Sequence, residues 1–276
     1  MTRPVAVGDV ELHPLVDAVG ALGELAELFP GVPAEDWDPY RELHPGLFAG
    51  SRWRAPCTCY LLRSPGHIVL VDTGVGPAGL WAWEAEREEG LLPALAAAGT
   101  RPEDVDLVFL THLHIDHVGW NTDGDGNLVF PRARYVTHRD GVAFALQSGR
   151  PHVERCIRAV VEAGVLDELG GKAELAPGLT AVSLAGHYPG HMGVHVESGL
   201  GSAMLIADTA VHPLLLDRPD VAYVSDIDAE ETIATRHEVL PGLVDAETLV
   251  VCGHYPDGGI GRLTRRDGRV VWEAVG

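Results

Sequence analysis

The sequence predicts an α/β fold. Short apolar runs that read as strands alternate with segments of helical spacing over most of its 276 residues. Several of these runs end directly in a histidine or an aspartate, a pattern expected where the loops after strands converge on an active site. The length suffices for a substantial core, and 46% of the residues are hydrophobic. We therefore expect one packed unit with a polar site at the ends of its strands.

The first part of the chain, residues 1–50, reads as a less regular arm. A short strand over residues 4–7 precedes a stretch, residues 20–29, in which leucines and a phenylalanine recur at helical spacing. Two interpretations of the arm are open: a surface helix that covers the edge of the sheets, or a flap over an apolar pocket. In the second interpretation, aromatic side chains of the arm form the pocket wall, namely Phe29, Trp37 and Tyr40.

From Cys57 onward the predicted elements follow one another more regularly. Two strands joined by a turn come first, and further strands are predicted over residues 107–110, 179–184, 193–197 and 203–207. Helices are predicted over residues 88–98, 152–163 and 230–240. A hairpin over residues 261–272 closes the chain.

The most informative stretch is Thr111–Gly119, which directly follows an apolar run. His112 and His114 are two residues apart, so in an extended segment they point to the same side and can bind one metal ion. Asp116 and His117 are adjacent, so they require the chain to turn, and they suit a second ion. Imidazole and carboxylate without thiolate form a ligand set for zinc or a similar divalent ion. Four ligand-type residues at this spacing predict a metal site rather than a loop of solvated histidines.

A site for two metal ions needs more ligands than this stretch supplies. Three candidates each follow a strand-like run later in the chain: His187, Asp208 and His254. One such residue alone is more often a core or surface residue than a ligand. Three of them in order, all after the first cluster, favour the ligand interpretation.

These motifs together resemble the metallo-β-lactamase-fold hydrolase superfamily, from about residue 57 to the end of the chain. The run Gly186–His191 and the turn after the strand-like residues 69–71, with Asp72, belong to the same resemblance. It implies a four-layer αββα sandwich, two mixed sheets with helices on the outer faces, as a single domain over residues 1–276.

The resemblance also implies two divalent metal ions and a role for each ligand. One ion is held by His112, His114 and His187, and the other by Asp116, His117 and His254. Asp208 bridges the two ions, and Asp72 orients ligand imidazoles. His191 supports the loop of residues 186–191 from behind. Zinc is the first choice of metal, with manganese, iron or cobalt as alternatives.

With these ligands we expect a hydrolase in which a hydroxide shared by the two ions attacks the substrate. Asp116 is the expected proton shuttle to the leaving group. The C-terminal half resembles the branch of methyl-parathion-hydrolase-like phosphotriesterases and lactonases, and a small, partly apolar ester or lactone is the expected substrate. His212 is a candidate substrate contact, and acyl-homoserine lactonases often carry a tyrosine where this chain has Val211. A thioesterase, a phosphotriesterase, and a metabolite sensor that uses the pocket without turnover are the alternatives.

Charge and hydropathy argue against several other classes of protein. Twenty basic residues against forty acidic ones give a formal net charge of −20, which argues against nucleic-acid substrates. No apolar run approaches the roughly 20 residues of a membrane span, and the first residues lack the apolar stretch of a secretion signal. We expect a cytoplasmic protein with a small-molecule substrate, and a homodimer is possible.

Two further motifs are weaker. Four scattered cysteines do not predict a disulfide framework; Cys57 and Cys59 read as small side chains on one sheet face, and Cys252 as a core thiol that could approach the metal ions. Residues 121–127 partly match a calcium-binding loop, but Arg132 stands where that loop needs a glutamate. A hairpin turn beside the metal site is the better prediction.

Overall fold

Two mixed β-sheets face each other in the structure, a computed structural model that describes residues 3–77, 85–86 and 90–275. The strands of the first sheet are β1 (Val5–Val7), β2 (Val10–Glu24), β3 (Phe48–Ala49), β4 (Arg52–Ser64), β5 (His67–Val71), β6 (Ala85–Glu86), β7 (Leu107–Phe109), β8 (Arg134–His138) and β9 (Leu166–Leu169). Their order is β1-β2-β4-β5-β7-β8-β9, with β3 paired to β4 and β6 paired to β2. The run from β5 to β9 is parallel.

The second sheet is formed by the C-terminal half of the chain and keeps sequence order. Its strands are β10 (Ala173–Ala176), β11 (Leu179–Ser183), β12 (Met192–Ser198), β13 (Gly201–Leu205), β14 (Leu249–Val251), β15 (Ile260–Arg266) and β16 (Arg269–Ala274). The pair β13–β14 is parallel, and the other pairs are antiparallel.

Helices cover the outer faces of both sheets. They are α1 (Leu25–Leu28), α2 (Asp38–Leu43), α3 (Leu91–Ala97), α4 (Ile115–Val118), α5 (Arg139–Ser148), α6 (Arg158–Glu162), α7 (Leu214–Asp217) and α8 (Ala229–Val239), with a π-helical turn over Val153–Ile157 before α6. Helices α3, α5 and α6 pack on the first sheet, and α7 packs on the second. None of the helices in the described ranges has the length and apolar character needed to cross a bilayer.

A continuous apolar core lies between the two sheets. Val69, Val71 and Phe109 of the first sheet meet Val194 and Leu205 of the second in one buried cluster. Helices, sheet, sheet and helices therefore stack as four layers, which confirms the predicted αββα sandwich. The predicted hairpin over residues 261–272 is β15 and β16, and residues 121–127 form the predicted turn, in which Asp123 accepts backbone hydrogen bonds from Asp125 and Asn127.

The prediction for the N-terminal arm needs correction. Residues 20–24 belong to the long strand β2, and only Leu25–Leu28 form a helix. Strand β2 pairs with β4 over nearly its whole length, with irregularities near residues 17 and 22. The leucine spacing favours a helix here, but pairing with the neighbouring strand β4 decides the conformation, because β structure depends on tertiary context. The irregular part of the N-terminus therefore begins after Glu24. The predicted helix at residues 88–98 is Leu91–Ala97, and residues 88–89 lie outside the described ranges.

The two sheets bring the loops after their parallel strands to one edge. On the first sheet Asp72 directly follows β5, and His112 lies shortly after the neighbouring β7. On the second sheet Asp208 and His254 follow the neighbouring strands β13 and β14. Gly119 lets the first two of these loops touch, since a Cβ there would lie 2.1 Å from the carbonyl carbon of Val75.

Candidate metal centre

Three imidazole nitrogens converge on the first predicted metal position. Nδ1 of His114 lies 3.0 Å from Nε2 of His112 and 3.0 Å from Nε2 of His187. A tetrahedral ion with metal–nitrogen bonds of about 2.0–2.1 Å holds its ligand nitrogens about 3.3 Å apart. The three histidines come from both sheets, and their spacing suits one ion at the point where they meet.

The second predicted group gathers around Asp116, which lies in the helical turn α4. Oδ2 of Asp116 is 3.7 Å from Nε2 of His117 and 3.6 Å from Nε2 of His254. The chain turns between His114 and Asp116, as predicted. The side chain of His114 therefore belongs to the first predicted ligand group and that of His117 to the second.

Asp208 lies between the two groups. Its Oδ2 is 3.4 Å from Nε2 of His187 and 3.3 Å from Nε2 of His254, while its Oδ1 is 3.5 Å from Nε2 of His117. One carboxylate thus faces ligands of both groups, the position that a bridging ligand requires. The structure brings all the predicted ligand residues together.

Unsatisfied polar atoms at this point indicate that the residues fit cations. Within the described ranges, Nε2 of His117 and Oδ1 of Asp208 are buried without a hydrogen-bond partner. Leaving such an atom unsatisfied costs about 1–3 kcal/mol, and a cation between the two would satisfy both. In each of three sets of residues, the potential ligand atoms lie within 4.8 Å of one another. The sets are His112 with His114 and His187, His112 with His117 and Asp208, and Cys57 with Asp116 and His254.

The surroundings set the charges of the ligands. Burial and neighbouring histidines lower the pKa of His112 and His114 well below the usual range, so both offer lone pairs at neutral pH. Burial also acts to lower the pKa of His117 and His254, but Asp208 and other neighbours outweigh it and raise the pKa of both. Burial acts to raise the pKa of Asp208, but His254 and His117 outweigh the effect of burial. The pKa of Asp208 is therefore well below its usual value, and the carboxylate is ionised.

Most of the candidate ligand imidazoles are oriented through their second ring nitrogen. Nδ1 of His117 lies 2.8 Å from Oδ2 of Asp72, whose carboxylate also accepts hydrogen bonds from the backbone and the hydroxyl of Thr111. Nδ1 of His254 lies 2.8 Å from the carbonyl oxygen of Pro56. A metal ion that binds Nε2 would displace the proton there, and contacts of this kind keep Nδ1 protonated and point Nε2 at the ion. Asp72 thus contacts one candidate ligand, and its role in orienting ligands stays a prediction.

His187 is oriented by a pair of residues to which the sequence analysis assigned no role at the metal site. Its Nδ1 lies 2.8 Å from Oδ1 of Asp226, and Oδ2 of Asp226 accepts a hydrogen bond of 3.0 Å from Arg236. Both of those charged side chains are 0% exposed. Arg236 lies on α8, which buries only Thr232 and Arg236, so no apolar stripe marks the buried face of this helix in the sequence.

His191 occupies a different position from the ligands. Its Nδ1 donates to the carbonyl oxygen of Leu184 at 2.6 Å, and its Nε2 accepts the backbone N–H of Asp208 at 3.1 Å. Both ring nitrogens are therefore engaged by the backbone. Burial and the charge of His187 lower the pKa of His191 to about 3, which keeps it neutral. It joins its own loop, through Leu184, to the loop of Asp208, and the supporting role stays a prediction.

We expect His187→Ala to lower the metal content more than His191→Ala does. His187 points a free nitrogen at the first ligand group, whereas His191 has none to offer. Elemental analysis of protein purified without chelator should give about two ions per chain for the wild type, clearly less for His187→Ala, and an intermediate value for His191→Ala. Equal metal loss in both variants would show that these roles are assigned wrongly.

A cavity of about 680 Å³ opens onto the ligands. Its lining includes candidate ligand residues, namely His114, Asp116, His187, Asp208 and His254. Its walls combine the apolar side chains Leu22, Leu28, Ile115, Val224 and Ile227 with the polar side chains Arg150, His152, Tyr223 and Ser225. Val224 is 61% exposed and Ile227 is 48% exposed, so large apolar side chains stand open at its rim.

The predicted aromatic wall does not line this cavity. Phe29, Trp37, Tyr40 and His212 are all buried in one aromatic cluster of the core on the second sheet. The ring of Trp37 lies 5.3 Å from the rings of Phe29 and His212. Nδ1 of His212 accepts the backbone N–H of Leu214. Burial lowers the pKa of His212 to about 3, so this side chain is a neutral packing residue. The segment supplies Leu22 and Leu28 to the cavity instead, since the larger aromatic rings are more stable inside the core.

The expectation for the cysteines also changes. Sγ of Cys252 donates to the carbonyl oxygen of Ala207 at 3.3 Å and belongs to the core. Cys57 is the thiol that reaches the second ligand group, with Sγ 4.0 Å from Oδ2 of Asp116. Strand alternation places Cys57 and Cys59 on one face of β4, but it carries no signal for which part of the strand meets the loop of Asp116.

Known proteins with similar sequences indicate the family of this chain. The family model described as "Metallo-beta-lactamase superfamily" matches residues 52–254. An N-acyl homoserine lactonase of Bacillus cereus is 23% identical over 223 residues, which cover 75% of this chain and 84% of that protein. An N-acyl homoserine lactonase of Bacillus thuringiensis is 26% identical over 186 residues, which cover 62% and 70%.

Solved structures share the fold. The dizinc quorum-quenching lactonase AidC, in complex with the product N-hexanoyl-L-homoserine, aligns with a TM-score of 0.83 and 23% identity, covering 100% of this chain and 97% of that one. The hydrolase AbOPH of the β-lactamase superfamily aligns with a TM-score of 0.84 and 23% identity at the same coverage. At this identity the likeness establishes the architecture.

Proposed function

The chain belongs to the metallo-β-lactamase superfamily and is a metal-dependent hydrolase, and we propose that its substrate is a lactone that carries an apolar acyl chain. One observation carries the proposal. The cavity joins the ligand cluster to apolar side chains that stand exposed at its rim. A substrate with a polar reacting group at one end and an apolar tail at the other matches that arrangement. The lactonases among its relatives support the choice of bond.

We propose zinc at both positions, because the donors are imidazoles and carboxylates and AidC is a dizinc protein. His112, His114 and His187 would hold one ion, Asp116, His117 and His254 the other, and Asp208 would contact both. When bound, the ions supply Lewis acidity toward the lactone carbonyl and lower the pKa of a water molecule. The oriented tautomers of His117, His187 and His254 keep the ligand nitrogens in place for this chemistry.

Asp116 is the proposed proton shuttle. Its side chain is 17% exposed and lines the cavity, so its carboxylate reaches the bound substrate. During hydrolysis the carbonyl carbon gains a bond to the water oxygen, and the bond from that carbon to the ring oxygen breaks. Asp116 accepts the proton that water loses and delivers it to the ring oxygen, which leaves a hydroxy acid.

Tyr223 is the proposed hydrogen-bond donor to the substrate. Its ring lies parallel to that of His187, with centroids 6.2 Å apart and 10° between the planes, and it lines the cavity. Burial raises the pKa of Tyr223, so its hydroxyl keeps the proton and can donate it to a substrate oxygen. Val211, where acyl-homoserine lactonases often carry a tyrosine, is fully buried. In this chain Tyr223 supplies a phenol to the cavity from the loop before α8.

The experiment is a series of lactones with short and long acyl chains, assayed with the wild type and with the double variant Val224→Ser/Ile227→Ser. The loss of apolar contact should lower kcat/KM for long-chain lactones about 10- to 100-fold, and change short-chain turnover little. Leu200→Ser is the matched control, because Leu200 is fully exposed in the turn between β12 and β13, away from the cavity.

Three outcomes would overturn the proposal. They are an equal effect of the double variant on every chain length, hydrolysis of thioesters or phosphotriesters in preference to lactones of matched size, and tight lactone binding without turnover. The last of these would favour the sensor interpretation, since the pocket would then bind its ligand without chemistry.

A further inference from the structure

The thiol of Cys57 faces the second ligand group. Cys57 is 2% exposed, and its Sγ lies 4.0 Å from Oδ2 of Asp116. Sγ, the Asp116 carboxylate and Nε2 of His254 form one of the three sets whose ligand atoms all lie within 4.8 Å of one another. The apolar neighbours of Cys57 are Ala18 and Val75, so the polar side of its surroundings is the ligand group.

Strand β4 holds this thiol and the loop of His254 in a fixed relation. The carbonyl oxygen of Pro56, the residue before Cys57, lies 2.8 Å from Nδ1 of His254. The residue after Cys57, Thr58, donates its backbone N–H to the carbonyl oxygen of Gly253. A Cβ at Gly253 would lie 2.8 Å from the carbonyl oxygen of Thr58, so the loop and the strand are in contact. Backbone contacts on both sides of Cys57 therefore hold the strand against the loop of His254, and Sγ lies within 4.8 Å of Nε2 of His254.

A second observation points to a cation beside Asp116, whose Oδ2 lies 3.7 Å from Nε2 of His117. Nε2 of His117 and Oδ1 of Asp208 are buried and lack a hydrogen-bond partner among the described residues, and both belong to side chains that are more than nine-tenths buried. Zinc bonds to sulfur are about 2.3 Å long and bonds to nitrogen or oxygen are about 2.0–2.2 Å. A sulfur and an oxygen that share one ion can therefore lie up to about 4 Å apart, as Cys57 and Asp116 do.

We propose that Cys57 is a further ligand of the second metal ion and binds it as a thiolate. The inference rests on the metal centre assigned under the proposed function. Binding forms one metal–sulfur bond, and the thiol proton leaves to solvent. A soft sulfur donor in an otherwise nitrogen and oxygen site favours zinc, cobalt or cadmium over manganese. The competing arrangement is a neutral thiol that donates a weak hydrogen bond to Asp116, with no bond to the ion.

The other cysteines provide matched controls. Cys59 lies two residues further along β4 and is packed among apolar side chains such as Leu61 and Leu70. Cys252 donates to a backbone carbonyl. A substitution of Cys59 removes a buried thiol from the same strand without touching the ligand group, so Cys59→Ser controls for strain in the strand.

The test uses the full chain loaded with Co²⁺ and its electronic absorption spectrum. Wild type and Cys59→Ser should show the visible bands of bound cobalt and a near-ultraviolet sulfur-to-cobalt charge-transfer band. Cys57→Ser should keep visible bands and lose the charge-transfer band. It should also bind Cd²⁺ about 10-fold or more weakly while its affinity for Mn²⁺ changes little.

The outcomes separate this inference from the proposed function. Visible cobalt bands without a charge-transfer band in the wild type would overturn the Cys57 assignment and leave the metal centre standing. The absence of any cobalt spectrum would overturn the metal centre itself. If Cys57→Ser does not fold, Cys57→Ala and Cys57→Asp provide the same comparison, and a sulfur band that persists in either folded variant overturns the assignment.

Discussion

Asp116→Asn should lower kcat for lactone opening by about 10²–10⁴-fold while the protein keeps its fold and most of its metal. Asparagine retains an oxygen at the same place, so it can still contact an ion. It cannot accept a proton from water and return it to the ring oxygen. The check is kcat together with metal content, both measured on the same preparation. Asp140→Asn is the control, because Asp140 is 67% exposed at the start of α5 and does not line the cavity.

A variant with unchanged metal and more than a tenth of the wild-type kcat would exclude Asp116 as the shuttle. A variant that loses metal and activity in proportion would assign Asp116 to binding rather than to proton transfer. Measuring both quantities distinguishes the two roles.

Arg236→Met should cost about 3–5 kcal/mol of the free energy of unfolding. Arg236 is fully buried, and its guanidinium donates to Asp226 and to the carbonyl oxygens of Thr209, Pro219 and Val221. Without it the buried Asp226 carboxylate loses its paired charge, and the three carbonyl groups lose a donor. Urea unfolding followed by circular dichroism measures the loss.

The double variant Arg236→Met/Asp226→Leu sharpens this test. It removes the unpaired charge, so part of the lost stability should return, but His187 also loses the partner of its Nδ1. We expect metal affinity about 10- to 100-fold below that of the wild type. A double variant no more stable than Arg236→Met alone would show that the uncompensated charge is not the cause of the loss.

The cluster of candidate metal ligands could be predicted from the sequence because the signals of its members are local. His112, Asp208 and His254 each follow a short apolar strand, and the loop after a strand is short enough that order along the chain indicates position in space. Asp226 and Arg236 carry no such signal. Asp226 lies in an irregular loop, and α8 shows no apolar face that would reveal Arg236 as buried.

The aromatic residues of the N-terminal segment illustrate a second limit. Sequence alone predicts that Phe29, Trp37 and Tyr40 avoid water, but a cavity wall and a closed core both satisfy that requirement. The choice depends on what the second sheet presents at that place, and α7 and His212 complete the cluster there. In the same way, the pairing of β2 with β4 decides the conformation of residues 20–24, although their leucine spacing is helical.

Each predicted ion takes ligands from both sheets, since His112, His114 and His117 follow β7 whereas His187, Asp208 and His254 belong to the second sheet's loops. A bound ion thus joins the two halves of the chain like a reversible cross-link. The folded population then depends on the free metal concentration: at about 1,000 times the dissociation constant, one ion contributes about 4.1 kcal/mol to the native state by mass action. Metal supply in the surrounding medium would control how much folded protein is present, in addition to how fast each folded molecule works.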